Sequence, residues 1–492
     1  MPASADQREL PLHPHPGGQS SDIRRVARNS FFLTAQPLFM NVVSMFAVAY
    51  IARTLGVADF GIFNLVTTYA MLFNPVAQAG LNRVMVRDLA SLSDKAEYAA
   101  RMIALRAVIT GVAAFGMVLT AAVAGYDGRT TLAIIAGSSI FVGQMLAEIF
   151  ADVFLAFERT RFTAIAQLVA GLTLTVLSIA VLYIGLGLFA MIAVYAFGQF
   201  LGLGLAVYFI HTKFLRLRWH ADWRFAAKSL AEGLPFFAST MMWSITSRID
   251  TLVLSKSSSP AELGLYTSGM LLVARMGILP QGISAALLPT LSRLFSGGET
   301  REASTIIRSV SDTLVVLVLP AVVFVVIYSG TITSVLFGSH YVGAAAVLTV
   351  GIWILLLKCI IAVQFSVLAG CKREKDVMKS YAVTTGYSIL ASWLLIRSYG
   401  MIGAAFASLS TQILLTVLFL WYSPIRRMIH LGVALKTVGL GGAMLATAYA
   451  VSGWNTWCSM GLVASLAAGG AFASGLVRLE QLTWLRRTFR RA

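Results

Sequence analysis

The stretch Leu230–Arg293, LAEGLPFFASTMMWSITSRIDTLVLSKSSSPAELGLYTSGMLLVARMGILPQGISAALLPTLSR, holds two long apolar runs joined by the polar turn Lys256-Ser257-Ser258-Ser259-Pro260-Ala261-Glu262. Each run is long enough to cross about 30 Å of hydrocarbon as an α-helix. The pair nevertheless carries Arg248, Asp250 and Arg275, with prolines at 235, 280 and 289. A charge at the centre of a membrane helix costs roughly 2.5–3.5 kcal/mol on insertion scales, so it must face a partner or a wet cavity. The stretch therefore reads as a kinked helical hairpin in a membrane bundle, with something polar between its neighbours.

The rest of the chain agrees. Its 492 residues are 58% hydrophobic and 12% charged, with a mean hydropathy of +0.79. Soluble domains carry about 25% charged residues, and half that number could not solvate a soluble surface of this size. Apolar runs recur over 29–52, 60–82, 102–125, 131–156, 162–184, 186–210, 230–255, 261–290, 313–337, 342–369, 379–396, 400–421, 433–452 and 457–477. The expected fold is an all-α polytopic membrane protein of about 14 transmembrane helices. The short alternating segments of a β-barrel are not seen. Gly185-Leu-Gly187 marks the tightest predicted turn, between the fifth and sixth spans.

The net charge of +17 does not point to nucleic acid, because the basic residues sit in short loops between apolar spans. Thirty of the 38 Lys and Arg fall on one side of the alternating spans, against four (Arg53, Arg129, Lys256 and Arg397) on the other. Arg106, Arg248, Arg275 and Lys358 fall inside spans. Positive charge collects on the cytoplasmic side, which places both termini in the cytoplasm. Cys359, Cys371 and Cys458 are far apart and form no CxxC spacing. They imply neither a disulfide framework nor a metal site.

The chain also repeats itself. Ala58-Asp-Phe-Gly61-Ile-Phe63 follows the first span and Ala261-Glu-Leu-Gly264-Leu-Tyr266 follows the seventh, 203 residues later. Pro37 pairs with Pro235 and Pro75 with Pro280, at spacings of 198 and 205. Six spans per copy is an even number, so both copies enter the membrane in the same direction. That is the layout of two six-helix bundles related by a pseudo-two-fold axis along the membrane normal, found in alternating-access transporters. The predicted divisions are a disordered tail over 1–22, an N-terminal lobe over 23–210, a linker over 211–229, and a C-terminal lobe over 230–421. Two extra helices and a basic tail occupy 422–492.

No Gly-Lys dipeptide exists, so there is no P-loop, and neither Asp-X-Asp nor HExxH occurs. The outward loops are short. These absences favour transport over catalysis, and no cofactor or metal is expected. Arg275 and Lys358 lie near mid-depth without an obvious acid nearby, which suggests an anion-binding cavity; Arg grips phosphate oxygens in a fork and Lys adds a point charge. A helix-packing or snorkelling role is the alternative. Arg248 is a further substrate-facing candidate, and Asp250 is read as pairing with another helix, Arg275 being one option. Glu148 and Asp152 share a helix face at i,i+4, near the depth of Arg106. They read as an ion cluster or as a proton- or sodium-coupling site. Asn74, Gln78 and Asn82 form an i,i+4,i+8 stripe that could bind sugar hydroxyls or tie helices together. Asn41 and Gln199 are weaker candidates of the same kind.

The motifs Arg248-Ile-Asp250, Glu262-Leu-Gly264-Leu-Tyr266, Arg275 and Leu288-Pro289-Thr-Leu-Ser-Arg293 closely resemble those of the Wzx-like polysaccharide flippases. That family belongs to the multidrug/oligosaccharidyl-lipid/polysaccharide exporter superfamily. Tyr50-Ile-Ala-Arg53-Thr-Leu-Gly56, Phe60-Gly61, Gly80-Leu-Asn82-Arg83 and Arg87-Asp88 extend the resemblance through the first repeat. It implies a V-shaped pair of bundles with a cationic cavity, in a bacterial inner membrane. It also implies passage of a polyprenyl-diphosphate-linked oligosaccharide from the inner to the outer leaflet. Membrane lipid, a polysaccharide polymerase and glycosyltransferases would be its partners, and nucleic acid would not. A peptidoglycan-precursor flippase, a cation-coupled drug exporter on the same fold and a non-transport assembly subunit remain as alternatives.

Overall fold

The computed structural model describes residues 18–91, 95–213, 222–425, 431–451 and 456–473. In chain order the helices are α1 (Gly18–Gln78), α2 (Leu81–Ser91), α3 (Lys95–Val123), α4 (Gly128–Ala156), α5 (Arg161–Tyr183), α6 (Gly187–Lys213), α7 (Trp223–Ser257) and α8 (Pro260–Arg275). They continue as α9 (Ile278–Ser296), α10 (Thr300–Phe337), α11 (Ala344–Gly351), α12 (Trp353–Gly370), α13 (Glu374–Tyr422), α14 (Leu431–Ala450) and α15 (Thr456–Ala473). Among the described residues there are nine helical segments long and apolar enough to cross a membrane. The first helix begins at Gly18, inside the stretch read as a polar tail. Residues 1–17 of that tail, the basic residues Arg478–Arg491 and the linker's 214–221 lie outside the described residues.

Local chemistry sets the joints. Gly56 (φ 78°) bends α1 and Gly400 (φ 54°) bends α13, and each joint uses backbone geometry that only glycine adopts without strain. Gly185 and Gly187 both take positive φ in the α5–α6 turn, where the sequence places it. Asp127 caps α4 by accepting from the Thr130 amide, and Ser259 caps α8 ahead of a first-turn Pro260 and Glu262, a start signal worth about 1 kcal/mol. The apolar run 261–290 is two helices rather than one. Pro280 cannot donate a backbone hydrogen bond and crowds the preceding turn, and α8 stops at Arg275 while α9 starts at Ile278.

Many large apolar side chains point outward, among them Val169, Leu172 and Val176 on α5 and Leu390, Trp393 and Leu394 on α13. A soluble monomer does not expose apolar area on this scale; lipid covers it. Because lipid is as apolar as leucine, helix association rests on close backbone approach and interhelical hydrogen bonds. Both occur where α1 meets α7 and α8. A Cβ on Gly61 would stand 2.2 Å from the Pro260 carbonyl oxygen, and one on Gly264 would stand 2.0 Å from that of Val57. These are the glycines of the two repeated motifs, packed against each other. On the same Lys/Arg-poor face Tyr126 bonds Ser255 at 2.8 Å, and the Lys256 ammonium sits 3.0 Å from the Tyr126 ring centroid. Arg53 there donates to the Leu336 carbonyl at 2.9 Å, at the C-terminal turn of α10, where carbonyls attract a cation.

The basic face is tied as well. A Cβ on Gly80 would meet the Gly233 carbonyl oxygen at 2.1 Å. Arg83 lies over the Phe236 ring, and Arg87 bridges Asp88 and Glu232. Burial pushes the Asp88 carboxyl up, but hydrogen bonds from Arg87 and Tyr98 outweigh it and hold the carboxyl below its usual 3.8. With a lowered folded value, its contribution is present above that pH and lost as pH falls below it. At the far end, α14 and α15 pack on α10 through Val323, Tyr328, Met444 and Val463.

Gly61→Ala and Gly264→Ala should each cost about 1–3 kcal/mol, the usual range for overpacking. Thermal unfolding of the purified protein checks this. Gly204→Ala, whose added methyl meets open space, should melt with the wild type.

Candidate functional site: polar groups within the bundle

Two polar groups lie inside the bundle. The first involves α7, α8, α12 and α13. Asp250 is buried on α7 and accepts the Tyr266 hydroxyl at 2.5 Å and the Ser408 hydroxyl. It also accepts the Thr251 amide at 2.6 Å. Tyr266 is 1% exposed, so the carboxylate is held by neutral donors from α8 and α13. Asp250 is therefore not the partner of Arg275. Arg275 instead donates to Ser44 on α1 at 2.9 Å and lies within Coulombic reach of Tyr195 on α6. The reason is the break at 276–277, which makes Arg275 the last residue of α8 and turns it toward α1 and α6.

Lys358 lies midway along the segment Ala344–Gly370, within Coulombic reach of Arg248 and Asp250. Arg248 reaches the Met71 sulfur on α1, while its Nε is buried without a partner. The two predicted cations thus occupy different places, Arg275 at the seam with α1 and Lys358 beside Arg248 and Asp250. Arg248 and Lys358 both lie within Coulombic reach of the Asp250 carboxylate, while Arg275 stands apart from it against α1 and α6.

The second group involves α1, α3 and α4. Arg106, 2% exposed, bridges Asp152 at 2.6 Å, as the spacing of the sequence suggests. Glu148 takes a different partner set. It accepts Gln144 at 3.0 Å and Gln78 at 3.1 Å, and Gln78 also donates to Asn74 at 2.9 Å. Asn82 drops out of this row. Helix α1 ends at Gln78, and positive φ at Ala79 and Gly80 sends the chain into α2, so the expected three-residue stripe is two residues long. The side chain of Asn41 lies outside the described residues. Sequence reasoning missed Tyr266 and Ser408; no short motif marks a hydroxyl that will meet a carboxylate from another helix.

A family described as "Polysaccharide biosynthesis protein" matches residues 26–295. A putative O-antigen transporter from Shigella flexneri is 21% identical over 218 residues, 44% of this chain and 48% of that protein; the match therefore spans about half of that relative's length. A probable low-salt glycan biosynthesis flippase, Agl15, from Haloferax volcanii is 20% identical over 399 residues, 81% of this chain and 83% of that protein. Among solved structures, the lipid II flippase MurJ in an inward closed conformation superposes with a TM-score of 0.73 at 14% identity, covering 89% of this chain and 97% of that one. At that identity the likeness is one of fold.

Removing one member of a buried ion pair strands the other, at a cost of 3–5 kcal/mol. Arg106→Met should sit at the lower end, about 3 kcal/mol, since Asp152 keeps 22% side-chain exposure. Arg106→Met with Asp152→Leu should recover most of the loss in a thermal unfolding measurement.

Proposed function

From its membership of the polysaccharide biosynthesis protein family, to which this chain belongs, we propose that it is a flippase. It carries a polyprenyl-diphosphate-linked oligosaccharide from the inner to the outer leaflet by alternating access, for surface polysaccharide synthesis. The membrane is the plasma membrane and both termini are cytoplasmic, as the one-sided placement of Lys and Arg supports.

In this reading the chain crosses fourteen times, as two six-helix lobes over 23–210 and 230–421 followed by two further helices. Bends at Gly56 and Gly400 divide α1 and α13 into two crossings each, which favours that count. The repeat gains support from matching helix ends. The fourth helix of each lobe, α4 and α12, stops on a non-glycine residue at positive φ, Glu158 and Lys372. The hydrogen bonds are alike too: Arg159 to Phe154 and Glu158 to Leu155, then Arg373 to Leu368 and Lys372 to Ala369.

The observation that carries the functional reading is the charge imbalance. Arg248 and Lys358 share the one carboxylate of Asp250 within a hydrophobic bundle, and an anionic diphosphate would balance them. Arg275 sits at a helix break halfway along Pro260–Ser296, where discontinuous helices of transporters place their ligands. The head group enters from the basic face while the tail stays in lipid. Asn74 and Gln78 face the glycan in this assignment, and Asp250 ties α7, α8 and α13 as a gate. Glu148 is the coupling group, since Arg106 already neutralises Asp152. A polymerase and glycosyltransferases act before and after transport.

Arg275→Ala and Lys358→Ala should abolish surface polysaccharide in the producing strain while membrane protein levels stay normal. Normal polysaccharide in both would overturn the assignment. Glu148→Gln should remove the dependence of transport on an ion gradient, read in proteoliposomes; an unchanged gradient response would exclude Glu148 as the coupling group.

A further inference from the structure

A cavity of about 320 Å³ lies between α4, α5 and α6, and its described lining includes none of the cations of α7, α8 and α12. Its polar lining is Gln144, Glu148, Thr163, Gln167 and Gln199, and the rest is mostly small residues such as Ala147, Ala151 and Gly202. The Thr163 hydroxyl is buried without a hydrogen-bond partner. Gln167 and Gln199 make no hydrogen bond to another described residue. A buried polar group left unpaired at membrane depth is expensive, so the Thr163 hydroxyl is matched by water or by a ligand, and the unpaired amides line the same space. The lining residues run over 144–154 of α4, 163–174 of α5 and 198–206 of α6, stretches from mid-helix toward one end of each. All three lie toward the basic face, from which a substrate would load.

We propose that this cavity is a glycan subsite that receives one or two uncharged sugar units of the lipid-linked substrate, separate from the diphosphate site. The inference rests on the flippase reading. Three carboxamides, a hydroxyl and a carboxylate offer donors and acceptors suited to sugar hydroxyls. The described lining includes a carboxylate and no Lys or Arg, which disfavours the diphosphate itself. The volume falls at the small end of the 300–1,000 Å³ typical of organic ligand sites and far exceeds the need of one desolvated cation. The Asn74–Gln78–Glu148–Gln144 chain of hydrogen bonds leads from α1 to the cavity wall and fixes the Gln144 amide there.

The test uses the full-length protein in lipid nanodiscs and two ligands: bare polyprenyl diphosphate, and polyprenyl diphosphate bearing a neutral oligosaccharide from the producing strain. The double variant Gln167→Leu with Gln199→Leu removes the free amides, and Ala151→Leu fills the cavity. Each should weaken binding of the glycan-bearing lipid about tenfold or more while bare-carrier affinity stays within about twofold and the melting temperature holds. Equal losses for both ligands, or no loss for either, would overturn the subsite. So would a sodium-dependent rise in melting temperature that the variants abolish while glycan affinity is unchanged, which would mark a cation site. Failure of the underlying flippase reading looks different: wild-type protein would bind neither lipid, and Arg275→Ala would change nothing.

Discussion

Contact between Gly61 and Gly264 brings α1 and α8 to backbone distance, and the polar interior is arranged around that closeness. Each glycine faces a carbonyl oxygen of the opposite helix with no room for a methyl group. Lipid supplies no hydrophobic drive for helices to associate, so such contacts replace the buried core of a soluble protein. With the Lys/Arg-poor face held this way by Gly61, Gly264, Tyr126 and Lys256, the cations of α7, α8 and α12 are kept inside. The Gly80–Gly233 approach does the same for α2 and α7 at the basic face. An alternating-access carrier would have to open these two contacts in turn, never both together.

The charges inside divide by how they are satisfied. Arg106 and Asp152 neutralise each other, and Asp250 is saturated by hydroxyls and an amide. These bonds tie neighbouring helices together. Lys358 is satisfied more loosely, by carboxylate at a distance. A cation with spare donors in a low-dielectric bundle attracts an anion more strongly than the same cation in water. In the proposed function that difference separates residues that hold the bundle from residues that suit a phosphate-bearing cargo. The amide-lined cavity of α4, α5 and α6 has none of those cations in its described lining, which in the proposed function suits a substrate whose charged and uncharged regions need different surroundings.

The membrane class, the apolar spans, the glycine turn at 185–187 and the repeated Gly61 and Gly264 motifs are all legible in the chain. So is the Arg106–Asp152 pair, because a lone arginine and an acid at similar depth on adjacent helices have few other partners. The chain equally allows a bond between Asp250 and Arg275, and the fold gives Asp250 Tyr266 and Ser408 instead. Helical spacing puts Asn82 on the Asn74–Gln78 face, and the turn at Ala79 and Gly80 rotates it away. These differences share one cause: helix periodicity predicts neighbours along a single helix and is silent about a break or about which other helix comes close.

By itself the sequence determined that this is a multi-spanning helical protein with rare charges held at mid-depth, because hydrocarbon length and the cost of ionised groups in lipid leave their mark residue by residue. Only the tertiary structure decided which helix each charge meets, that the two repeat glycines touch, and that Gln144, Gln167 and Gln199 share one cavity. Those facts depend on crossing points between helices far apart in the chain, and the steric fit that sets a crossing point is a property of surfaces already assembled.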